Sequence, residues 1–264
     1  MTVDLTAWTG LLAGRTDPPV TPTIVLPIAP STAGGSGTFL AADEAGQRWW
    51  VKPLNNQQGP VVTVTESIVA TAGALIGAPT CQAAVVRLPA EIAGWSFRAG
   101  ATIEPGFAHA SAAVPDAVED RRLLHRLSDD NARRHAGVLA IYDWCWGGDD
   151  QWLYSVSRDS QLFSHDHGWY LPDVGPTWDR ASLEAAVDLP HELSGDRVGL
   201  DVVEVARLSQ RLRTLTRQEL IDTLSMIPAS WPVPDTDLEA LGWFLERRSA
   251  LVAERLDVLR GLLP

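Results

Sequence analysis

RWWVKPLNNQQGPVVTVTESIVATAGALIG, residues 48–77, decides the fold. Arg48–Val51 is an aromatic and β-branched run that reads as a strand, with Lys52 at its end. Pro53–Pro60 is a loop bounded by proline and glycine. From Val64 to Ile76 apolar residues recur at helical spacing, and Gly77 supplies the stop. Glu66 falls early on that helix, beside Val69 and Ala70. Strand, lysine, loop, helix, glutamate is an order that lets an ammonium and a carboxylate meet. The same pair also fits a surface charge and a first-turn glutamate favoured by the helix dipole.

Working outward, residues 1–22 form an irregular or partly helical lead-in ended by Pro18, Pro19 and Pro22. Thr23–Ala29 reads as a strand, as do Thr38–Ala42 and Arg48–Val51 on either side of a polar Asp-Glu-Ala-Gly turn. Gln82–Leu88 is a further strand. The loop-rich stretch Phe97–Ala113 reads as a hinge. Beyond it Asp116–Ser128 and Asn131–Asp143 read as helices, and Gln151–Val156 and Gln161–His165 as a strand pair. Past Asp179 the chain is nearly all helical, with repeating Leu, Val and Ala faces over Val198–Leu215, Gln218–Met226 and Asp235–Leu263. The expected class is α+β and bilobal, with a β-rich part over 1–105 and a mostly helical part over 106–264.

The 264 residues suffice for two packed lobes. No apolar run reaches the roughly 18 residues of a membrane span. The first twelve residues lack the positive charge of a signal peptide. Cys81 and Cys145 stand far apart and read as free thiols, which places the protein in the cytoplasm. A net charge of −12 argues against nucleic acid and anionic membranes as partners. Among the 21 basic residues, Lys52 is the single lysine. The bland reading is codon bias, since a GC-rich genome drifts from lysine to arginine. The exception suggests a task suited to a compact ammonium, such as approaching phosphate oxygens in a narrow site.

Three further stretches carry chemistry. STAGGSG, residues 31–37, precedes the lysine strand, and Gly34, Gly35, Ser36 and Gly37 would let backbone N–H groups approach phosphate. It lacks the Lys-Ser/Thr ending of a P-loop, and a plain flexible turn is the alternative. Asp143–Gln151, DWCWGGDDQ, presents Asp149 and Asp150 after two helix-stopping glycines. A carboxylate there can accept a substrate proton or hold a metal, or simply form an acidic turn. In SHDHG, residues 164–168, Asp166 suits Mg²⁺, while His165 and His167 suit a transition metal. His109, His125, His135 and His191 read as surface or satisfied core residues. Trp144, Trp146, Trp152, Trp169 and Trp178 read as packing, with room for one to line a ligand pocket. Cys145, between two tryptophans, reads as buried.

The ordered set of glycine loop, Lys52-Pro53, Glu66, Asp149 and Asp166-His167-Gly168 resembles the HipA-like kinase family. WWVKPLNNQQGP, the helix ending in Gly-Ala-Pro, the Asp-Trp-x-x-Gly-Gly-Asp loop, SHDHGWYLP and MIPASW before a long helix all share in the likeness. It spans Thr38 to the C-terminus. The resemblance implies a protein-kinase-like fold, ATP and Mg²⁺ as cofactors, and a protein or small-molecule hydroxyl as phosphate acceptor. Lys52 would contact phosphates, Glu66 would support it, Asp149 would match the catalytic aspartate and Asp166 the metal-binding one. The family follows its catalytic aspartate with arginine and then a metal-binding asparagine. Here Asp150 follows, Tyr154 falls near the asparagine position, and no asparagine occurs after Asn131. Asp150 or Gln151 would have to substitute. Two rivals follow: a nucleotide-binding interaction module without turnover, and a metal-dependent hydrolase built on His165, Asp166, His167 and Asp149.

Overall fold

The computed structural model describes residues 3–31, 37–172 and 177–263. Its first half is an antiparallel sheet built around the lysine strand. β1 (Ile24–Pro30), β2 (Phe39–Asp43), β3 (Arg48–Lys52), β4 (Ala83–Leu88) and β7 (Gly106–Ala112) lie in the order β1-β2-β3-β7-β4. The β2–β3 turn is held by Asp43, whose Oδ1 accepts from the N–H groups of Ala45 and Gln47, while Oδ2 accepts from Trp49 Nε1. Gly46 turns the chain at φ +79°. A parallel bridge from Thr23 to Arg87 curls the sheet back towards its own edge. Phe39, Trp49, Val51, Val86 and Phe97 bury one face of it.

α1 (Pro60–Ile76) begins one turn earlier than its apolar periodicity predicts. Pro60 opens it, where a missing N–H is harmless. Asn56 fixes the preceding loop by donating from Nδ2 to the carbonyls of Pro53 and Gly59. Gly77 ends the helix at φ +72°, in the left-handed region that favours glycine. The helix is buried on almost every side because it sits between the sheet and the helical half.

The stretch read as a loop-rich hinge is instead mostly strand. β5 (Ser96–Arg98) and β6 (Ala101–Thr102) form a small hairpin, and β7 is an interior strand of the main sheet. β7 alternates Phe107, His109, Ser111 with Ala108, Ala110, Ala112, and its small residues gave no apolar run to read. The helix expected over Asp116–Ser128 is also absent. β8 (Ala117–Asp120) pairs with β9 (Trp152–Ser155), which pairs with β10 (Gln161–Ser164). The left-handed residue His125 falls inside that stretch, with Asp116 and Asp129, also left-handed, at its two ends.

The second half packs α2 (Asn131–Trp144), α3 (Arg180–Ala186), α4 (Val202–Thr214) and α5 (Arg217–Ser225) around α6 (Asp235–Leu262). The lead-in carries a short 3-10 turn, Leu5–Trp8, and docks on α6. Trp8 is fully buried, lies against Gly242 and donates from Nε1 to Glu246. A buried ionic hub ties α2 to α6. Arg248, with no exposed surface, donates to the carbonyls of Trp144 and Leu189 and pairs with Asp143, which also receives Arg255. Among the described residues, no helix is long and apolar enough to cross a membrane.

Candidate nucleotide site

β3 ends at Lys52 with the side chain turned inward, only 2% exposed. α1 brings up Glu66 from below, and the turn after β10 brings Asp166 from the other half. The ammonium donates to Glu66 Oε1 and, at 2.8 Å, to Asp166 Oδ1. Asp166 reaches it by adopting φ +52°, a conformation aspartate tolerates better than most residues. Glu66 Oε2 accepts from the His167 N–H at 2.9 Å, so one carboxylate fixes both the lysine and the turn that carries Asp166. Gly168 allows the close approach. A Cβ there would overlap Val62 and lie 3.6 Å from Lys52 Nζ.

Burial disfavours the Lys52 charge, but the two carboxylates outweigh it and hold the ammonium above its ordinary value. Burial raises Glu66, with Asp166 adding to the rise and Lys52 opposing it. Burial also works against the Asp166 charge, yet Lys52 and hydrogen bonding bring that carboxyl well below the usual range. The Asp166 carboxylate is therefore charged and partly open, with 31% of its side chain exposed. A lone carboxylate of this kind fits Mg²⁺, which takes one or two carboxylates and fills its shell with phosphate and water oxygens.

These residues line a cavity of about 460 Å³ between the main sheet and the three-stranded sheet. Trp50 on β3 forms one wall and Leu153 on β9 another. Glu119 on β8 and Gln151 ahead of β9 also line it. Burial raises the Glu119 carboxyl, and Asp166 and Asp149 add to the effect. His165 Nε2 comes within 3.7 Å of Glu119, but burial lowers its pKa to about 4, so the pair is uncharged on the histidine side at neutral pH. On β7, opposite Lys52 and Trp50, stand His109 and Ser111. His109 is buried between Ser67 Oγ, 2.9 Å from Nδ1, and Ser111 Oγ, 3.0 Å from Nε2.

Asp149 and Asp150 occupy the loop between α2 and β9. Asp149 Oδ2 accepts from Gln151 Nε2 at 2.7 Å, which ties it to the cavity's edge. Neither Asp149 nor Asp150 lines this cavity itself; Asp150 lines a separate groove. Gly148 keeps the loop against the 167–169 turn, where a Cβ would overlap the Trp169 carbonyl. Tyr154 points away, its hydroxyl bound to Leu124 N and Arg122 O. Thus of the two substitutes for the missing asparagine, it is Gln151 that reaches the cavity. Gly34, Gly35 and Ser36 lie outside the described residues; Gly37 turns at φ +72° against Arg98.

The four hydrolase residues are not assembled. His167 Nε2 is bound to Ser164 Oγ at 2.8 Å, and among the described residues no three His, Cys, Asp or Glu side chains are placed to hold a metal. Cys145 is buried with its thiol raised, and burial pushes Cys81 up to about 12. Trp144, Trp152 and Trp178 pack the core as expected, and the tryptophan in the cavity is Trp50. Trp50, Ser111, Glu119 and Leu153 went unread in the sequence. The one signal for Ser111 was its two-residue spacing from His109.

A small sheet over a helical half, joined at a lysine–glutamate–aspartate cluster in the intervening cavity, defines the α+β, bilobal protein-kinase-like fold. The chain is similar in structure to the Helicobacter pylori proinflammatory kinase CtkA, with a TM-score of 0.56 and 10% identity over 91% of this chain and 99% of that one. It is also similar to the Golgi casein kinase, with a TM-score of 0.50 and 11% identity over 97% of this chain and 77% of that one. No protein-family model and no curated protein sequence matches it.

Proposed function

We propose that the chain is an ATP- and Mg²⁺-dependent phosphotransferase of the HipA-like type. The observation that carries this reading is Lys52, hydrogen-bonded to both Glu66 and Asp166 in the wall of the 460 Å³ cavity. In this reading the base lies between Trp50 and Leu153, and Lys52 neutralises phosphate charge. Glu66 orients Lys52. Asp166 would hold Mg²⁺, which supplies charge neutralisation on the phosphates. Asp149 accepts the proton of the acceptor hydroxyl as its oxygen bonds to the γ-phosphorus, and the bond to the bridging oxygen breaks to release ADP. The cytoplasmic assignment remains part of the proposal; two buried, free cysteines suit a reducing compartment.

A second reading is a nucleotide-binding module without turnover. It is favoured by Tyr154, which stands where the family's metal-binding asparagine is expected and faces away from the cavity.

Thermal unfolding with ATP and Mg²⁺ tests the first claim. Ligand at about 100 times its dissociation constant stabilises by roughly 2.7 kcal/mol. Wild type should show the shift, and Lys52→Ala and Asp166→Ala, if folded by circular dichroism, should lose it. Absence of a wild-type shift would refute nucleotide binding. ATP binding without ADP release in the presence of any hydroxyl acceptor, water included, would favour the second reading.

A further inference from the structure

A second cavity, of about 680 Å³, opens on the far side of the three-stranded sheet from the nucleotide cavity. Trp152 lines the second and its neighbours Gln151 and Leu153 line the first, as strand alternation requires. The sheet is thus a partition, and the Asp149–Asp150 loop stands at its end. Asp149 is tied to the Gln151 side, and Asp150 faces the second groove. Among the described residues Asp150 Oδ1 has no hydrogen-bond partner, and the Tyr142 hydroxyl lies beside the same carboxylate.

The groove's charge is unlike that of the whole chain. Among the described residues four arginines, Arg121, Arg122, Arg126 and Arg197, line it against two aspartates, on a protein of net charge −12. Arg126 is structural. It joins the two walls through His135 Nδ1 and the carbonyls of Asp196 and Val198. Arg122 is matched by Asp120. Arg121 and Arg197 remain, and among the described residues neither has a carboxylate within 4.0 Å. Arg197 is half-buried and donates to the Leu193 carbonyl; burial lowers its pKa, with Glu192 and Asp196 opposing at longer range. The rim carries Leu127, 96% exposed, and Val198, 70% exposed. A small anion would leave both uncovered, whereas a polypeptide would cover them.

We propose that this groove binds the phosphate acceptor, and that the acceptor is an acidic polypeptide segment carrying a hydroxyl residue. Arg121 and Arg197 take flanking carboxylates, the apolar rim takes side chains between them, and the hydroxyl is delivered to the Asp149–Asp150 loop. The inference rests on the phosphotransferase reading for the transfer step, but binding by the groove is testable without it.

The probe is a fluorescein-labelled octapeptide with one serine among glutamates and aspartates, read by anisotropy against the full chain. Its glutamine and asparagine counterpart serves as the neutral control. The acidic peptide should bind at least about tenfold tighter, a difference that shrinks as salt rises. Arg121→Glu, a surface change, should weaken it about tenfold, and Arg197→Ala likewise, while the ATP-induced thermal shift stays at the wild-type value. Equal binding of the two peptides overturns the proposal, as does an unchanged affinity in Arg121→Glu. Displacement of the peptide by free glutamate or inorganic phosphate at similar molar concentration would overturn the polypeptide assignment. An ATP shift with no acidic preference sinks this inference alone. An acidic preference with no ATP shift sinks the phosphotransferase reading and leaves the groove's ligand standing.

Discussion

Lys52 Nζ lies 2.8 Å from Asp166 Oδ1 although 114 residues separate them in the chain, and the same ammonium is bound to Glu66. One cation thus joins a strand, a helix and a turn from both halves of the molecule. Lys52→Met leaves the buried Glu66 and the partly open Asp166 without it. Breaking a buried pair from one side typically costs about 3–5 kcal/mol. The urea midpoint of the nucleotide-free protein should fall accordingly. An unchanged midpoint would mean that water already screens the cluster.

Lys52 and Glu66 were legible in the sequence because a lone lysine among arginines ended a strong strand one loop before a strongly periodic helix. Asp166 was legible because polar residues clustered at a strand end. What joins Asp166 to them is a contact across 114 residues, which local pattern does not encode. β7 was illegible for a different reason. Apart from Phe107 its sequence, GFAHASA, is made of residues with no strong strand preference, and its place between β3 and β4 comes from pairing. β8 was misread as helix because Ala117, Val118 and the charged residues after them fit either period. The left-handed residue inside that stretch, His125, is visible only in three dimensions.

His109 and His135 should make the fold acid-sensitive. Burial lowers His109 to about 3, with Lys52 adding to the effect, and lowers His135 to about 4, with Arg126 adding. Both stay neutral in the folded state while an unfolded histidine charges near 6.5. The unfolded chain therefore binds more protons between about 4 and 6.5, and stability falls as pH drops through that range. Each group contributes about 1.4 kcal/mol per pH unit at full effect. Glu66, raised by burial, runs the opposite way, with stability lost as pH rises through its folded value. Urea titrations at pH 5 and 7 should show the fall, and His135→Gln should reduce it by about one group's share.

Ser111 should select the purine. Ser67 Oγ donates to the Thr63 carbonyl at 3.1 Å, so its lone pair is free for His109 Nδ1–H. His109 Nε2 then accepts from Ser111 Oγ–H, and all three protons have acceptors. The other tautomer leaves the Ser111 proton without a protein partner. Ser111 therefore presents lone pairs to the cavity, which suits the 6-amino group of adenine and not a 6-oxo group. ATP should bind about tenfold tighter than inosine triphosphate, by about 1.4 kcal/mol. Ser111→Ala should erase the preference. Ser67→Ala should release the tautomer and shift the preference towards the 6-oxo base, an outcome that simple loosening of the site does not give.

The Asp143–Arg248 hub should matter to stability and not to the Lys52 cavity. Asp143→Ala leaves Arg248 buried with carbonyl partners but no counter-charge, and frees Arg255 to solvent. A loss of about 3–5 kcal/mol in unfolding free energy is expected. The dissociation constant for ATP, measured at a temperature where the variant is fully folded, should stay within a few-fold of wild type. A large loss of affinity at full folding would show that the hub communicates with the cavity, through α2 and the loop that follows it.

Gly168→Ala tests whether the closeness of Glu66, Lys52 and the Asp166 turn is itself required. The added methyl would overlap Val62 on α1 and press towards Glu66 Oε1, 3.3 Å away. Gly168 does not have a positive φ, so the change introduces no backbone strain and the effect is steric alone. Relief requires α1 or the turn to move by a few tenths of an ångström or more, and either movement lengthens the His167 N–H to Glu66 bond. Overpacking of this kind typically costs about 1–3 kcal/mol. The position of Asp166 relative to Lys52 changes with it, so ATP affinity should fall alongside stability. Pairing the change with Val62→Ala, which vacates the overlapping methyl, should restore both. Restored stability without restored ATP binding would place the requirement at Glu66 and Lys52 and not at the packing of α1.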